Sequence, residues 1–169
     1  RQMCIRDRLR VAPGSTTRPS SQLVRSALFS IISPQIENAR VLDLFAGTGA
    51  LGIEALSRGA QWATFVDHSV ESSRLVEANL KVCGFADSAE VVVADGPNWL
   101  AANRGLWDLV FLDPPYAFDS WPDLLGGPLV GSVARMVVGE SDREIDPGPS
   151  WDVGSTRRHG STVVMLLTP

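Results

Sequence analysis

Val41-Leu42-Asp43-Leu44-Phe45-Ala46-Gly47-Thr48-Gly49-Ala50-Leu51-Gly52 decides the fold. A β-rich apolar run ends in a glycine loop that opens into the helical pattern Ala50–Arg58, which is the strand–loop–helix unit of an open α/β sheet. Ligands on such sheets bind beyond the carboxyl ends of the strands, so Asp43 and the loop mark a candidate site.

Working outward, the same alternation repeats. Strands are expected at 40–45, 62–67, 89–94, 107–112 and 133–139, with helices at 50–58, 70–83, 97–103 and near 120–130. Strands at 151–156 and 161–167 have no helical connector between them and should form an antiparallel hairpin. The expected architecture is α/β and Rossmann-like, a mostly parallel seven-stranded sheet with helices on both faces and a C-terminal antiparallel hairpin. Upstream, Leu23, Val24, Ala27, Leu28 and Ile31 recur at helical spacing. They predict a helix from Ser20 to Ile32 packed on the domain, with Ser20 or Ser21 as N-cap and Pro34 just past its end. Residues 140–150, rich in acids and prolines, read as a loop.

At 169 residues the chain is large enough for one two-sided core. Hydrophobic residues make up 44% and charged ones 20%, which excludes a disordered chain. No apolar run approaches a membrane span, and the N-terminus lacks a signal-peptide core. Cys4 and Cys83 form no metal spacing, so a cytoplasmic, metal-free protein is expected. The division expected is an arm over residues 1–19 and a catalytic domain over 20–169. Residues 1–8 show no clear periodicity and read as a foreign leader or a truncated start. The net charge of −4 hides an asymmetry: residues 1–40 hold seven arginines against Asp7 and Glu37. That basic end is the expected nucleic-acid contact.

Gly47, Gly49 and Gly52 spell G-x-G-x-x-G, and Asp67 follows at the spacing of a ribose-binding acid, which raises a nicotinamide-dependent oxidoreductase. Asp43 argues against it, because a fixed carboxylate under the loop opposes a pyrophosphate. S-adenosylmethionine, whose sulfonium and ammonium are cations, suits the same loop. Asp67 would then accept from the ribose hydroxyls, and Asp95, after the strand Val91–Ala94, would sit by the adenine amino group.

A fourth strand, Leu109-Val110-Phe111-Leu112, runs into Asp113-Pro114-Pro115-Tyr116. Two prolines fix their own φ and bias Asp113 toward an extended backbone, so the loop is stiff. The Asp113 carboxylate and the Pro114 carbonyl could take both protons of an exocyclic amine, while Tyr116 offers a stacking face. This is chemistry for amino-group methylation of a nucleobase, guanine or adenine alike.

The run Val41–Ala60 with Asp113–Tyr116, preceded by Thr17-Arg18-Pro19 and the helix beginning Val24-Arg25-Ser26, resembles the bacterial guanine-N2 methyltransferase family of 16S ribosomal RNA. The resemblance covers residues 9–169. It implies a class I enzyme that uses S-adenosylmethionine and acts, as a monomer, on 16S rRNA or the small ribosomal subunit. By position, Asp43, Phe45, Ala46, Gly47, Thr48, Gly49, Asp67, His68, Asp95, Gly96 and Asp113 would line the cofactor site. Asp113, Pro114, Pro115 and Tyr116 would hold the guanine, and Arg10, Arg18, Arg25 and Tyr116 would contact RNA. The side chains of His68 and His159 are not expected to do acid–base or metal chemistry. The tryptophans are expected in the core or its rim, with Trp121 the one best placed to touch RNA. An adenine-N6 methyltransferase and a non-catalytic ribosome-assembly protein stay open beside the oxidoreductase.

Overall fold

The computed structural model describes Leu9 and residues 19–169, with side chains from residue 22 onward. Arg10 and Arg18 lie outside the described residues. The elements are α1 (Pro19–Ile36), β1 (Arg40–Asp43), α2 (Ala50–Ser57), β2 (Trp62–Asp67), α3 (Val70–Cys83) and β3 (Ala89–Val93). They continue through α4 (Gly96–Ala102), β4 (Trp107–Leu112), α5 (Trp121–Gly126), β5 (Val133–Ser141), β6 (Asp152–His159) and β7 (Thr162–Thr168).

The seven strands form one sheet in the order β3-β2-β1-β4-β5-β7-β6. β1 to β5 run parallel, whereas β7 pairs antiparallel with both β5 and β6. The chain builds outward from β1 to β3, returns across the sheet to β4, and then builds the other way. The switch point therefore lies between β1 and β4, where a doubly wound sheet opens its ligand crevice.

Alternation of side chains along the strands divides the core in two. On one face Val41, Phe65, Phe111 and Val138 pack with Phe29, Ile32 and Ile36 of α1 and Ile53 of α2. On the other, Leu42, Val66, Val110 and Val137 pack with Leu100, Trp121 and Leu124. Burying each such side chain is worth about 1.5–3 kcal/mol, and these two faces fix the strand registers.

Three expectations need correction. α1 begins at Pro19, so Ser20 and Ser21 fall inside it rather than capping it, and it continues through Pro34 to Ile36. Proline removes one hydrogen bond in the last turn, and the complete burial of Ile36 holds that turn in place. The buried stripe is Leu28, Phe29, Ile32 and Ile36, while Leu23 and Ile31 face outward. Finally, β5 runs past Gly139 through Glu140 to Ser141, because β7 pairs with it that far through Glu140↔Val164 and Ser141↔Val163. The expected acidic loop therefore starts two residues later.

Candidate active site

Asp43 ends β1 and is 1% exposed. Its Oδ2 accepts from the Gly52 N–H at 3.0 Å, which ties the strand end to the first turn of α2 beneath the glycine loop. Burial pushes its carboxyl up to about 7, against the pull of the Gly52 N–H, and the charge on Asp67 adds to the rise. A buried carboxylate raised this way favours a cation beside it and disfavours a phosphate.

The loop above it is tightly specified. Gly47 has φ +54° and open space where a Cβ would be, so its backbone can be approached from the cleft. Gly52 is needed for packing, since a Cβ there would lie 2.3 Å from Cε1 of Phe65. The Asn79 amide donates to the Thr48 carbonyl at 3.0 Å, and Ala46 N–H donates to the Val66 carbonyl at 3.1 Å. Half-buried Phe45 packs edge-on against Phe118 at 5.3 Å.

Asp67 ends β2 and reaches back to the loop, accepting from Gly47 N–H at 2.8 Å and from Ser69 N–H at 2.9 Å. The His68 side chain is 78% exposed, with Nδ1 3.6 Å from Asp67 Oδ1. Asp95 caps α4 by accepting from Asn98 N–H at 3.1 Å. Gly96 is buried, and a Cβ there would come within 2.9 Å of the Leu44 carbonyl oxygen. Asp67 and Asp95 thus fix local backbone through their carboxylate oxygens, Asp67 with one N–H donor on each oxygen.

Across the switch point Asp43 pairs with Phe111, so Asp113 follows two residues further along β4 on the same face. Pro114 is buried, Pro115 is exposed and Tyr116 is 52% exposed. The Tyr116 hydroxyl lies 3.4 Å from Thr162 Oγ1. Asp113 is solvent-exposed at the end of β4, with buried Leu112 and Pro114 on either side of it. Its carboxyl is pushed up to about 8, chiefly by displaced water, then by Glu140 and Asp43, with Arg25 pulling it down. Water at its open edge screens part of that push. Half-buried Arg25, expected on RNA, acts electrostatically on both Asp113 and Glu140 and favours their charged forms.

Two contributors are not evident from the sequence. Glu140 joins Asp113 because β5 extends, and its carboxyl is likewise raised by burial, with Arg25 and His159 opposing. Arg143 clamps the loop after Tyr116, donating to the Tyr116 carbonyl at 3.3 Å and the Phe118 carbonyl at 3.1 Å, and pairing with Asp119 and Asp142. An arginine four residues past the expected strand carries no signal of such reach. Trp121, the tryptophan the sequence placed best for RNA contact, instead lies in the core as expected of the tryptophans generally: it is only 4% exposed and packs edge-on against Phe118. Its ring lies beside Gly139, 3.6 Å from where a Cβ there would be, an ordinary packing distance.

A separate hollow of about 500 Å³ lies at the opposite, amino-terminal edge of the sheet, around Asn38, Gln61 and Phe85. No charged side chain lines it. Among the described residues no group of three His, Cys, Asp or Glu side chains could hold a metal, and no helix is long and apolar enough to cross a membrane.

A family model described as conserved hypothetical protein 95 matches residues 4–166. The chain is 36% identical over 169 residues to "Putative rRNA methyltransferase YlbH" of Bacillus subtilis (strain 168), a match covering 94% of this chain and 91% of that protein. It is 40% identical over 99 residues to ribosomal RNA small subunit methyltransferase D of Escherichia coli (strain K12), spanning 59% of this chain and 50% of that one. The solved structure titled "Putative methyltransferase yhhF from Escherichia coli" superposes with a TM-score of 0.81 at 31% identity, covering 92% of this chain and 89% of that one. The chain belongs to the conserved hypothetical protein 95 family, the family of the small-subunit rRNA methyltransferase D proteins.

Proposed function

We propose that this protein transfers a methyl group from S-adenosylmethionine to the exocyclic N2 of a guanine in 16S ribosomal RNA. One observation carries the reading: Asp43 beneath a glycine loop and Asp113 before a rigid Pro-Pro-Tyr turn flank the switch point on the same face of the sheet. The relatives' names, an rRNA methyltransferase and a small subunit methyltransferase, support the substrate class.

The residues present fit the cofactor. The buried Asp43 carboxyl lacks a cation partner among the described residues, and the Gly47 backbone is open to the cleft. Asp43 would balance the cofactor's positive charge, Asp67 would accept from the ribose hydroxyls, and Asp95 would face the adenine end. When bound, S-adenosylmethionine supplies an electrophilic methyl group on a cationic sulfur. A nicotinamide dinucleotide would instead set its pyrophosphate over Asp43 and Asp67, which is electrostatically unfavourable.

On the substrate side, no described group donates to the Pro114 carbonyl or to Asp113. Together they would accept both protons of the amine and turn its lone pair toward the methyl group. The exposed Tyr116 ring would stack on the base, worth about 1–3 kcal/mol. Because alignment does most of the work, no strong base is required, and positioning of this kind contributes about 7–11 kcal/mol. Arg10 and Arg18 of the arm, and Arg157 and Arg158 on the exposed β6 edge, would meet phosphates. We read residues 20–169 as the catalytic domain and 1–19 as an RNA-binding arm of a cytoplasmic monomer.

A thermal-shift comparison tests the cofactor class. S-adenosylhomocysteine should raise the Tm and NAD should not; stabilisation by NAD alone would favour an oxidoreductase.

A further inference from the structure

β5 brings a second carboxylate to the target-base side of the cleft. Leu112 on β4 pairs with Gly139 on β5, so the next residues along the two parallel strands are Asp113 and Glu140. Their faces follow from alternation. Gly139 lies over Trp121, 3.6 Å from where its Cβ would be, which sends Glu140 to the opposite face, the face of Val138 and α1. Asp113, two residues past Phe111, shares that face. Glu140 is half-buried, and neither carboxylate makes a hydrogen bond or close ion pair among the described residues. Arg25 and His159 act on Glu140 only at longer range. Asp113 is exposed and Glu140 half-buried, so water reaches both, but two neighbouring carboxylates repel each other, and a ligand edge that supplies N–H donors relieves that repulsion.

The ligand edge they suit is specific. Guanine presents N1–H beside its N2 amine, a row of donors for two acceptors. Adenine presents an amine beside an N1 lone pair, which a carboxylate repels. Asp113 and Pro114 alone would accept an amine from either base.

We propose that Glu140 is the specificity-determining acceptor of the target-base site: it takes the guanine N1–H while Asp113 and the Pro114 carbonyl hold the N2 amine. The inference rests on the base-methyltransferase reading above and deepens it. A site built to accept a particular N–H discriminates steeply against an analogue that lacks it, because its own polar group is left unpaired.

The test uses the whole protein and small-subunit particles reconstituted with either guanosine or 2-aminopurine at the methylated position. 2-Aminopurine keeps the 2-amino group but has a lone pair at N1. The wild type should prefer guanosine by at least about 100-fold in kcat/KM. Glu140→Gln, near-isosteric and able to donate to that lone pair, should shrink the preference to less than about tenfold while leaving S-adenosylhomocysteine affinity unchanged. A Glu140→Gln protein with unaltered Tm and cofactor affinity that loses rate on both substrates equally overturns the proposal. A wild type that methylates adenine, or no base, overturns the parent reading, and the two failures are distinct.

Discussion

Asp43 ends β1 and Asp113 follows the end of the neighbouring β4, two residues past the partner of Asp43, with the switch point between them. The charge of Asp43 contributes to holding the Asp113 carboxyl up to about 8. One acid lies under the glycine loop and the other opens the Pro-Pro-Tyr turn, so the two halves of the site are separable by mutation.

Asp113→Ala should lower kcat/KM for RNA at least about 100-fold, the scale of removing a preorganised electrostatic contact. Calorimetric titration should find S-adenosylhomocysteine affinity within about threefold of wild type. Lost cofactor binding instead would assign Asp113 to the cofactor half.

The raised Asp113 carboxyl predicts a pH profile. Its ionised form is the better acceptor, so kcat/KM for RNA should climb as pH rises through about 8 in the free enzyme. Arg25 favours the ionised form, so Arg25→Gln should move that limb to higher pH. An unmoved limb would show that Arg25 does not act on Asp113.

Asp43 should make the ligand-free protein less stable with rising pH. Its carboxyl titrates at about 7 when folded against an ordinary 3.8, so the folded state keeps the proton the unfolded chain gives up between those values. The stabilisation is complete below 3.8 and is lost as pH rises through about 7. Asp113 and Glu140 share the sign, so the readout is a difference. Differential scanning calorimetry from pH 5 to 8 should show a smaller fall in Tm for Asp43→Asn than for wild type.

Two glycines should separate packing from binding. At Gly52 a methyl group would strike the buried Phe65 ring, so Gly52→Ala should cost about 1–3 kcal/mol in urea titration. At Gly47 the space is open and only the φ of +54° is strained, costing about 1–2 kcal/mol. Its larger effect should be on cofactor affinity, because the methyl group projects into the cleft.

Arg143→Ala should loosen the loop that carries Tyr116, since it removes both the Tyr116 and Phe118 carbonyl contacts. Initial-rate measurements should give a KM for RNA raised about tenfold, with cofactor affinity unchanged.

Much of this was legible in the sequence because its signals are local. Strand ends marked by Asp43, Asp67, Asp95 and Asp113 follow from short apolar runs stopped by acids. What escaped depends on tertiary pairing. Glu140 belongs to a strand only because β7 extends β5 past Gly139. Pro34 stays in α1 because Ile36 is buried. Arg143 acts on a loop 25 residues away at Phe118. The loop contacts of Asp67 and the capping role of Asp95 were equally hidden, because a carboxylate's backbone partner is set by loop geometry rather than by its neighbours in sequence.

The most direct test is methyl transfer from labelled S-adenosylmethionine to small ribosomal subunits of a strain lacking the modification, followed by nucleoside mass spectrometry and mapping of the base. The expected product is N2-methylguanosine at one position of 16S rRNA, absent with Asp113→Ala. N6-methyladenosine, or label only in protein, would contradict the account.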